Sequence, residues 1–441
     1  MTTDQLKSLA IEEIDRHRDV IIDAAKSIWN EPEEGYREYR TVRKIEEIYR
    51  QLDIPYQKEL ALTGVKGLLK GKQPGPTIAI LGELDAVRNP EHAAADPATG
   101  MVHACGHASQ LAWLIGAGFG LRKIIASLFG NVVLFAVPAE EYLNLTFRQQ
   151  LKDEGKITYF GGKQELVKLD AFDDIDIAMM GHAIGTDPGK AMFIPSSTNG
   201  FVGKTARFIG KTAHAGAEPD KGINALNAFH VALAAIHAQR ETFRDEDMVR
   251  VHPILTKGGE GVNNVPSDVR TEMYVRAKTV EAIKDANRKV DRALKAGAMG
   301  IGAQVEIVNT PGYLPLKQDQ TLLDVWVQQC HALLGSENVH FSGHNGASTD
   351  MGDITHLLPG IHPFIGGFQG NLHGNNFEVT DEEMAYILPA KLYALTVIDL
   401  LADEAGLARK IVQKFKPVLT KEEYLSLLDS LSYQMLWTEE Q

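Results

Sequence analysis

The sequence predicts an α/β protein: a mainly parallel sheet covered by helices, with a smaller α+β satellite inserted into it. Three observations carry that prediction. Apolar runs end abruptly in acidic or imidazole groups, as in TIAILGELDA, NVVLFAVPAEE and DIAMMGHA. An apolar helical segment, QLAWLIGAGFGLRKIIA, separates the first two runs. From about residue 197 the texture changes to alternating strands interleaved with two helical stretches. Continuous apolar runs suit strands buried on both faces, and strand–helix alternation suits a parallel sheet.

Taken in order, the first fifty residues read as two helices. Leu6, Ile11, Ile14, Val20, Ile21, Ala24 and Ile28 approximate a 3.6-residue period. NEPEEGY (30–36) interrupts, and Ile45, Ile48 and Leu52 mark the second helix. The three apolar strands follow. In the satellite, GKTARFIGKTAHAG, MVRVHPILTKGG, VRTEMYVRA and AQVEIVN read as strands, with GINALNAFHVALAAIHAQ and TVEAIKDANRKVDRALKAGAMG as helices. That β-α-β-β-α-β order is the ferredoxin-like split pattern. The expected division is 1–196 and 311–441 for the larger domain and 197–310 for the satellite.

Composition narrows the function. The 441 residues are 44% hydrophobic and 23% charged, globular proportions. Acidic side chains outnumber basic ones, 58 to 45, for a net charge of -13. Nucleic acid and anionic membranes are therefore not expected partners, since phosphate binding depends on Lys and Arg. No run of 18 apolar residues suggests a membrane span. Only Cys105 and Cys330 occur, and the charged N-terminus lacks a signal-peptide core, so a reducing, cytoplasmic setting is expected. Cys330, in VWVQQCHALL, reads as a core thiol.

Ligands of open α/β sheets sit beyond the carboxyl ends of strands. Here those ends carry Glu83 and Asp85, Glu140 and Glu141, then His182. HACGH adds Cys105 and His107, and GNLHGNNFEV adds His373. Residues two apart in an extended segment point the same way, so Cys105 and His107 could share one ion. Singly, each group has an ordinary explanation: a small buried thiol, or a carboxylate at a helix N-terminus. Their convergence at several strand ends argues for a metal site. Adjacent residues in a regular strand diverge, so Glu140 and Glu141 can serve one site only where the strand ends or twists.

The ordered set LGELDAV, MVHACGHASQLA, VPAEE, GHA, KTAHAGAEPDKGINAL, GGEGVNNVP, VRTEMYVRA, STDMGDI and LHGNNFEVTDEE resembles a known metallohydrolase family. It is the family of hippurate hydrolases, aminoacylases, auxin-conjugate hydrolases and aminobenzoyl-glutamate hydrolase. The resemblance implies a zinc-peptidase-like catalytic domain with one or two divalent ions, Mn2+ or Zn2+. It implies that Cys105, His107, Glu141, His182 and His373 are metal ligands, that Glu140 is the general base, and that Asp85 orients a ligand. Where related carboxypeptidases have a ligand histidine, this chain has Glu83, which the resemblance leaves outside the ligand set. In the satellite it implies that His214 donates to the developing oxyanion and Asn264 binds substrate. Arg276 is a substrate-binding candidate whose ordinary reading is a solvated strand charge. A homodimer is expected, with edge strands free to pair.

One departure matters. Relatives follow HACGH with Asp or Asn and then Gly-His, whereas Ala108, Ser109 and Gln110 stand here. A missing acid weakens the expectation of two ions. The leading expectation is hydrolysis of the amide of an N-acyl amino acid or carboxylate-bearing aryl amide. The alternatives are hydrolytic deamination of an activated aromatic amine such as 5-nitroanthranilate, releasing ammonia, and a non-catalytic binding protein that keeps the fold.

Overall fold

The computed structural model describes residues 1–185 and 191–438, which divide into two units. The first contains Met1–Ser196, Lys317–Gly343 and Asp353–Val418. Its six-stranded sheet runs Tyr56–Leu60, Gly64–Lys70, Phe129–Val137, Gln73–Glu83, Ile177–Met179, Gly360–Ile361. The last four strands are parallel, and the first two form an antiparallel hairpin at one edge. All three apolar runs thus lie in one sheet. The hairpin went unread because YQKEL is short and mostly polar and GVKGLLK is short and broken by two glycines and two lysines.

The helix His107–Ile124 is buried almost throughout, packed on Leu388–Leu401, Thr3–Arg16 and the strand Gln73–Glu83. Gly116 permits that approach: a Cβ there would lie 2.6 Å from the Ala390 Cβ. Glu383–Leu401 is long and apolar enough to cross a membrane by composition, yet 89% of its window is buried inside the protein. At the N-terminus the structure has three helices, Thr3–Arg16, Arg18–Trp29 and Tyr39–Gln51, where the sequence suggested two. The periodicity continues through His17, but its ψ of 16° breaks the first helix. A short parallel pairing of His182–Gly185 with Phe364–Gln369 sets the last imidazole-bearing segments.

The second unit contains Ser197–Leu316, His344–Gly352 and Leu419–Gln441. Its sheet order is Arg250–Lys257, Asp268–Ala277, Gly200–Ile209, Gln304–Pro311, Tyr433–Trp437, all antiparallel, with helices Ala225–Ala238 and Val280–Ile301. The first four strands follow the split β-α-β-β-α-β order. The expected division changes here, because residues 344–352 and 419–441 join the satellite instead of the larger domain. The C-terminal strand is held by pairing with Gln304–Pro311 and by a buried polar knot. Lys204 Nζ donates to Asp291 Oδ1 (2.6 Å) and Asn309 Oδ1 (2.9 Å), while Asn287 donates to the Tyr433 hydroxyl (2.9 Å). A buried ammonium needs such partners, and Tyr433 comes from the C-terminal strand.

Candidate metal centre

Two neighbouring parallel strands deliver the carboxylates: Glu83 ends one, and Val137, its partner in register, ends the other. Just beyond Val137 the chain turns, with Ala139 in the left-handed region at φ 54°. This answers the requirement on Glu140 and Glu141, which leave the strand before they diverge. Three side chains hold the turn. The fully buried Glu38 carboxylate accepts from Ala139 N (2.8 Å) and from Thr63 Oγ1 (2.6 Å). Buried Arg148 donates to the carbonyls of Ala139, Glu141 and Phe160. Asp85 Oδ2 accepts from Glu141 N at 2.8 Å.

HACGH does not place its ligands as an extended segment would. Gly106, at φ 87°, makes a turn, and His107 is the first residue of the following helix. Any Cβ at Gly106 would lie 2.3 Å from the Ala183 Cβ, so the missing side chain lets the segment after His182 close in. Cys105 and His107 therefore converge through a glycine turn, and the extended geometry expected from their spacing is not what the structure has. The His373 loop is tied to the same segment, His373 N donating to Ala104 O at 2.8 Å.

The donor atoms cluster within the first unit. Cys105 Sγ is 3.2 Å from His182 Nε2 and 3.1 Å from His373 Nε2. His373 Nε2 is 3.2 Å from Glu141 Oε1. Cys105, His107 and His182 form one group with donor atoms within 4.8 Å of one another; Cys105, Glu141 and His373 form a second, and Glu83, His107 and Glu140 a third. Two donors about 2.1–2.3 Å from a shared ion and near a right angle apart would be separated by about 3 Å. The tautomers agree with that reading. His182 Nδ1 and His107 Nδ1 each lie 2.8 Å from a backbone carbonyl, of Ala183 and Asp85. A carbonyl only accepts, so each Nδ1 carries the hydrogen and each Nε2 offers a lone pair.

Electrostatics favours a bound cation. Burial and Glu141 push the Cys105 thiol up, yet His182, His107 and His373 together bring it down to about 6. The thiolate is the ligand form. Burial raises Glu141, but His373 and His107 hold it near 2. His373 is driven up to about 11, chiefly by Glu141. Protons occupy positions that a divalent ion would take, and buried His107 Nε2 lies 2.9 Å from Glu83 Oε2. The donor set fits a divalent metal.

In the second unit, His214 and Asn264 face each other across an isolated antiparallel bridge, both exposed. His214 Nδ1 accepts from Gly216 N (3.2 Å) and Ala217 N (3.0 Å), leaving Nε2 as the donor. Arg276 is half-buried rather than simply solvated. It donates to Ser348 Oγ at 2.8 Å and His252 Nε2 at 3.1 Å, over the rings of Phe201 and Tyr274. Glu38, Gln110, Arg148 and Lys163 were missed from sequence. Glu38 lies just past NEPEEGY, where a buried carboxylate carries no signal of its own; nothing in TFRQQL or FGGKQEL marks Arg148 or Lys163, and Gln110 stood out only as a departure after HACGH.

Residues 79–397 match Peptidase family M20/M25/M40. The chain belongs to this family. It is accordingly a metal-dependent amide hydrolase with a metallopeptidase-like fold. It is 27% identical to the Xaa-Arg dipeptidase of Mus musculus, over 96% of this chain and 94% of that one. It is also 27% identical to the N-acetylcysteine deacetylase of Bacillus subtilis, over 86% of this chain and 97% of the other. Among solved structures, a dinuclear metal-binding M20 peptidase from Bacillus subtilis aligns with a TM-score of 0.64 and 21% identity, covering 88% of this chain and 99% of that one.

Proposed function

We propose that this protein hydrolyses the amide bond of an N-acyl amino acid or of an aryl amide that bears a carboxylate. The observation that carries the reading is the gathering of Cys105, His107, Glu141, His182 and His373 beside Glu140, at a turn built to release both glutamates from their strand. Similar chains include an indole-3-acetyl-aspartic acid hydrolase of Enterobacter agglomerans, 27% identical over 69% of this chain and 72% of that one. A divalent ion, Mn2+ or Zn2+, supplies a water of lowered pKa and polarises the scissile carbonyl when bound. Glu140 would serve as the general base toward the attacking water and return the proton to the departing nitrogen. His214 donates through Nε2–H to the oxyanion that develops. Asn264 and the Arg276 guanidinium bind the substrate, the latter through its carboxylate. The working form is a homodimer; the edge strand Arg250–Lys257, with Ile254 62% and Leu255 44% exposed, favours pairing there. Light scattering should then return twice the chain mass.

The test is a panel of N-acyl amino acids, dipeptides, aminobenzoyl-glutamate and nitro-substituted aminobenzoates, with released amino acid and ammonia both quantified. Release of the free amino acid, abolished by chelation and restored by Mn2+ or Zn2+, is expected. Ammonia from an aromatic amine without amide cleavage would replace this reading with deamination.

A further inference from the structure

His373 is the exposed member of the five donors, its side chain 53% accessible on a loop. Its backbone sits in the left-handed region at φ 61°. A residue with a Cβ seldom visits that region, and stays there only where its surroundings impose it. Packing cannot impose it on a side chain this open. The hold must come from hydrogen bonds to the peptide groups on either side.

A short hairpin supplies them. Val87–Arg88 pairs antiparallel with Met101–Val102, and the second of these strands leads on to Ala104 and Cys105. His373 N donates to Ala104 O (2.8 Å), and His373 O accepts from Asn89 Nδ2 (2.9 Å). Both peptide groups flanking the His373 Cα are thus tied to the hairpin that leads into Cys105, and His373 Nε2 lies 3.1 Å from Cys105 Sγ. The Asn89 amide is committed at both ends. Nδ2 donates a second time, to Asn375 Oδ1 (2.9 Å), and Oδ1 accepts from Glu91 N (3.2 Å). Since Glu91 N can only donate, the orientation of the amide is settled. Asn375 Nδ2 reaches back to Glu91 Oε2 at 3.1 Å, which closes the stitch between the two loops.

We propose that Asn89 is a positioning residue: its amide holds His373 in the left-handed conformation that turns the imidazole toward Cys105 and Glu141. The inference rests on the reading of His373 as a metal ligand and deepens it. An asparagine in a surface turn has an ordinary role, accepting from the backbone two residues on, and the bond from Glu91 N is that role. It does not account for Nδ2, whose two donations both go to the His373 loop. Without them, among the described residues, the His373 backbone is tied at its N–H alone. Its carbonyl side is then free to relax toward the ordinary backbone range, and the imidazole turns away with it.

Metal affinity, read apart from turnover, is the test. Purified protein is stripped and titrated with Co2+, following bound metal and the thiolate-to-cobalt absorption of Cys105. Asn89→Ala should bind cobalt about 10-fold more weakly than wild type. The bonds it loses are exposed, so the metal-free variant should unfold at the wild-type denaturant midpoint. In a His373→Ala background, already weakened, adding Asn89→Ala should change nothing more, because a residue that acts only through His373 has nothing left to position. Wild-type affinity in Asn89→Ala would overturn the proposal. An equal loss in both backgrounds, or a lowered midpoint in the metal-free variant, would overturn it too, by making Asn89 a general support of the fold. Wild-type affinity in His373→Ala, or no bound cobalt in wild type, would instead overturn the metal reading on which the proposal stands.

Discussion

In the first unit, Glu83, Asp85, His107, Glu140, Glu141, Arg148 and Lys163 are all buried, whereas in the second His214 and Asn264 are exposed and Arg276 is half-buried. Both sets carry polar groups that the proposed function calls on, but they pose different physical problems. A buried charge must be matched by partners before the chain can fold around it. An exposed donor costs the fold little and can be removed with little structural consequence. Mutations in the two units should therefore separate: the first unit couples activity to metal and stability, the second alters activity alone.

The sharpest probe is Glu140→Gln. The amide preserves shape and removes the base, so kcat should fall by about 10²–10⁴-fold with bound metal unchanged. Near-normal turnover would take Glu140 out of the mechanism. His214→Ala comes next. Loss of one oxyanion donor costs about 10²–10³-fold in kcat, while unfolding free energy should stay within about 0.5 kcal/mol of wild type. A marked drop in melting temperature would show that the second unit is not the uncoupled partner described above.

How far the sequence carried this contrast depends on which kind of signal each residue leaves. Strand ends and satellite order were readable, because apolar runs and alternation are local patterns. The clustered side chains of Cys105, His107, Glu141, His182 and His373 were readable as an ordered motif set. Their convergence at Gly106 was misread as extended chain, since the approach of Ala183 that requires glycine is a tertiary fact. Lys163 and Arg148 were invisible for the same reason. Each looks like a surface cation in sequence, and only the fold shows that its partners are Glu83 or three buried carbonyls. The C-terminal strand Tyr433–Trp437 was assigned to the wrong unit because a charged amphipathic tail reads alike whichever core it covers.

Arg148 tests the coupling in the first unit. Arg148→Met removes the charged donor to the carbonyls of Ala139, Glu141 and Phe160, of which Ala139 and Glu141 keep backbone donors from Gly162 and Leu143. Hydrogen bonds from a charged group contribute about 1.5–3 kcal/mol, so denaturant unfolding should shift by that amount and kcat should fall with it. A stable variant with normal kcat would mean that the turn needs no such support. Glu38 gives the pH side of the same question. Burial, then Asp85, raises its carboxyl to about 8 from an ordinary value of 4.5. The folded protein then holds a proton that the unfolded chain releases, so stability is full below about pH 4.5 and declines as pH rises through about 8. In metal-free protein, Glu38→Gln should flatten that decline, and an unchanged pH profile of unfolding would place the carboxyl's titration elsewhere.

The smallest expected effect lies at Arg276. The guanidinium is already fixed by Ser348 and His252 and lies over two aromatic rings, a planar geometry that an ammonium cannot reproduce. Arg276→Lys keeps the charge but loses the fork and the stacking. If Arg276 grips a substrate carboxylate in ground state and transition state alike, KM should rise several-fold with kcat nearly unchanged. Neutral ester or amide analogues of the substrate should be insensitive to the change. A fall in kcat with KM constant would instead move Arg276 from substrate binding to the stabilisation of developing charge, and the second unit would then contribute two groups to the chemical step.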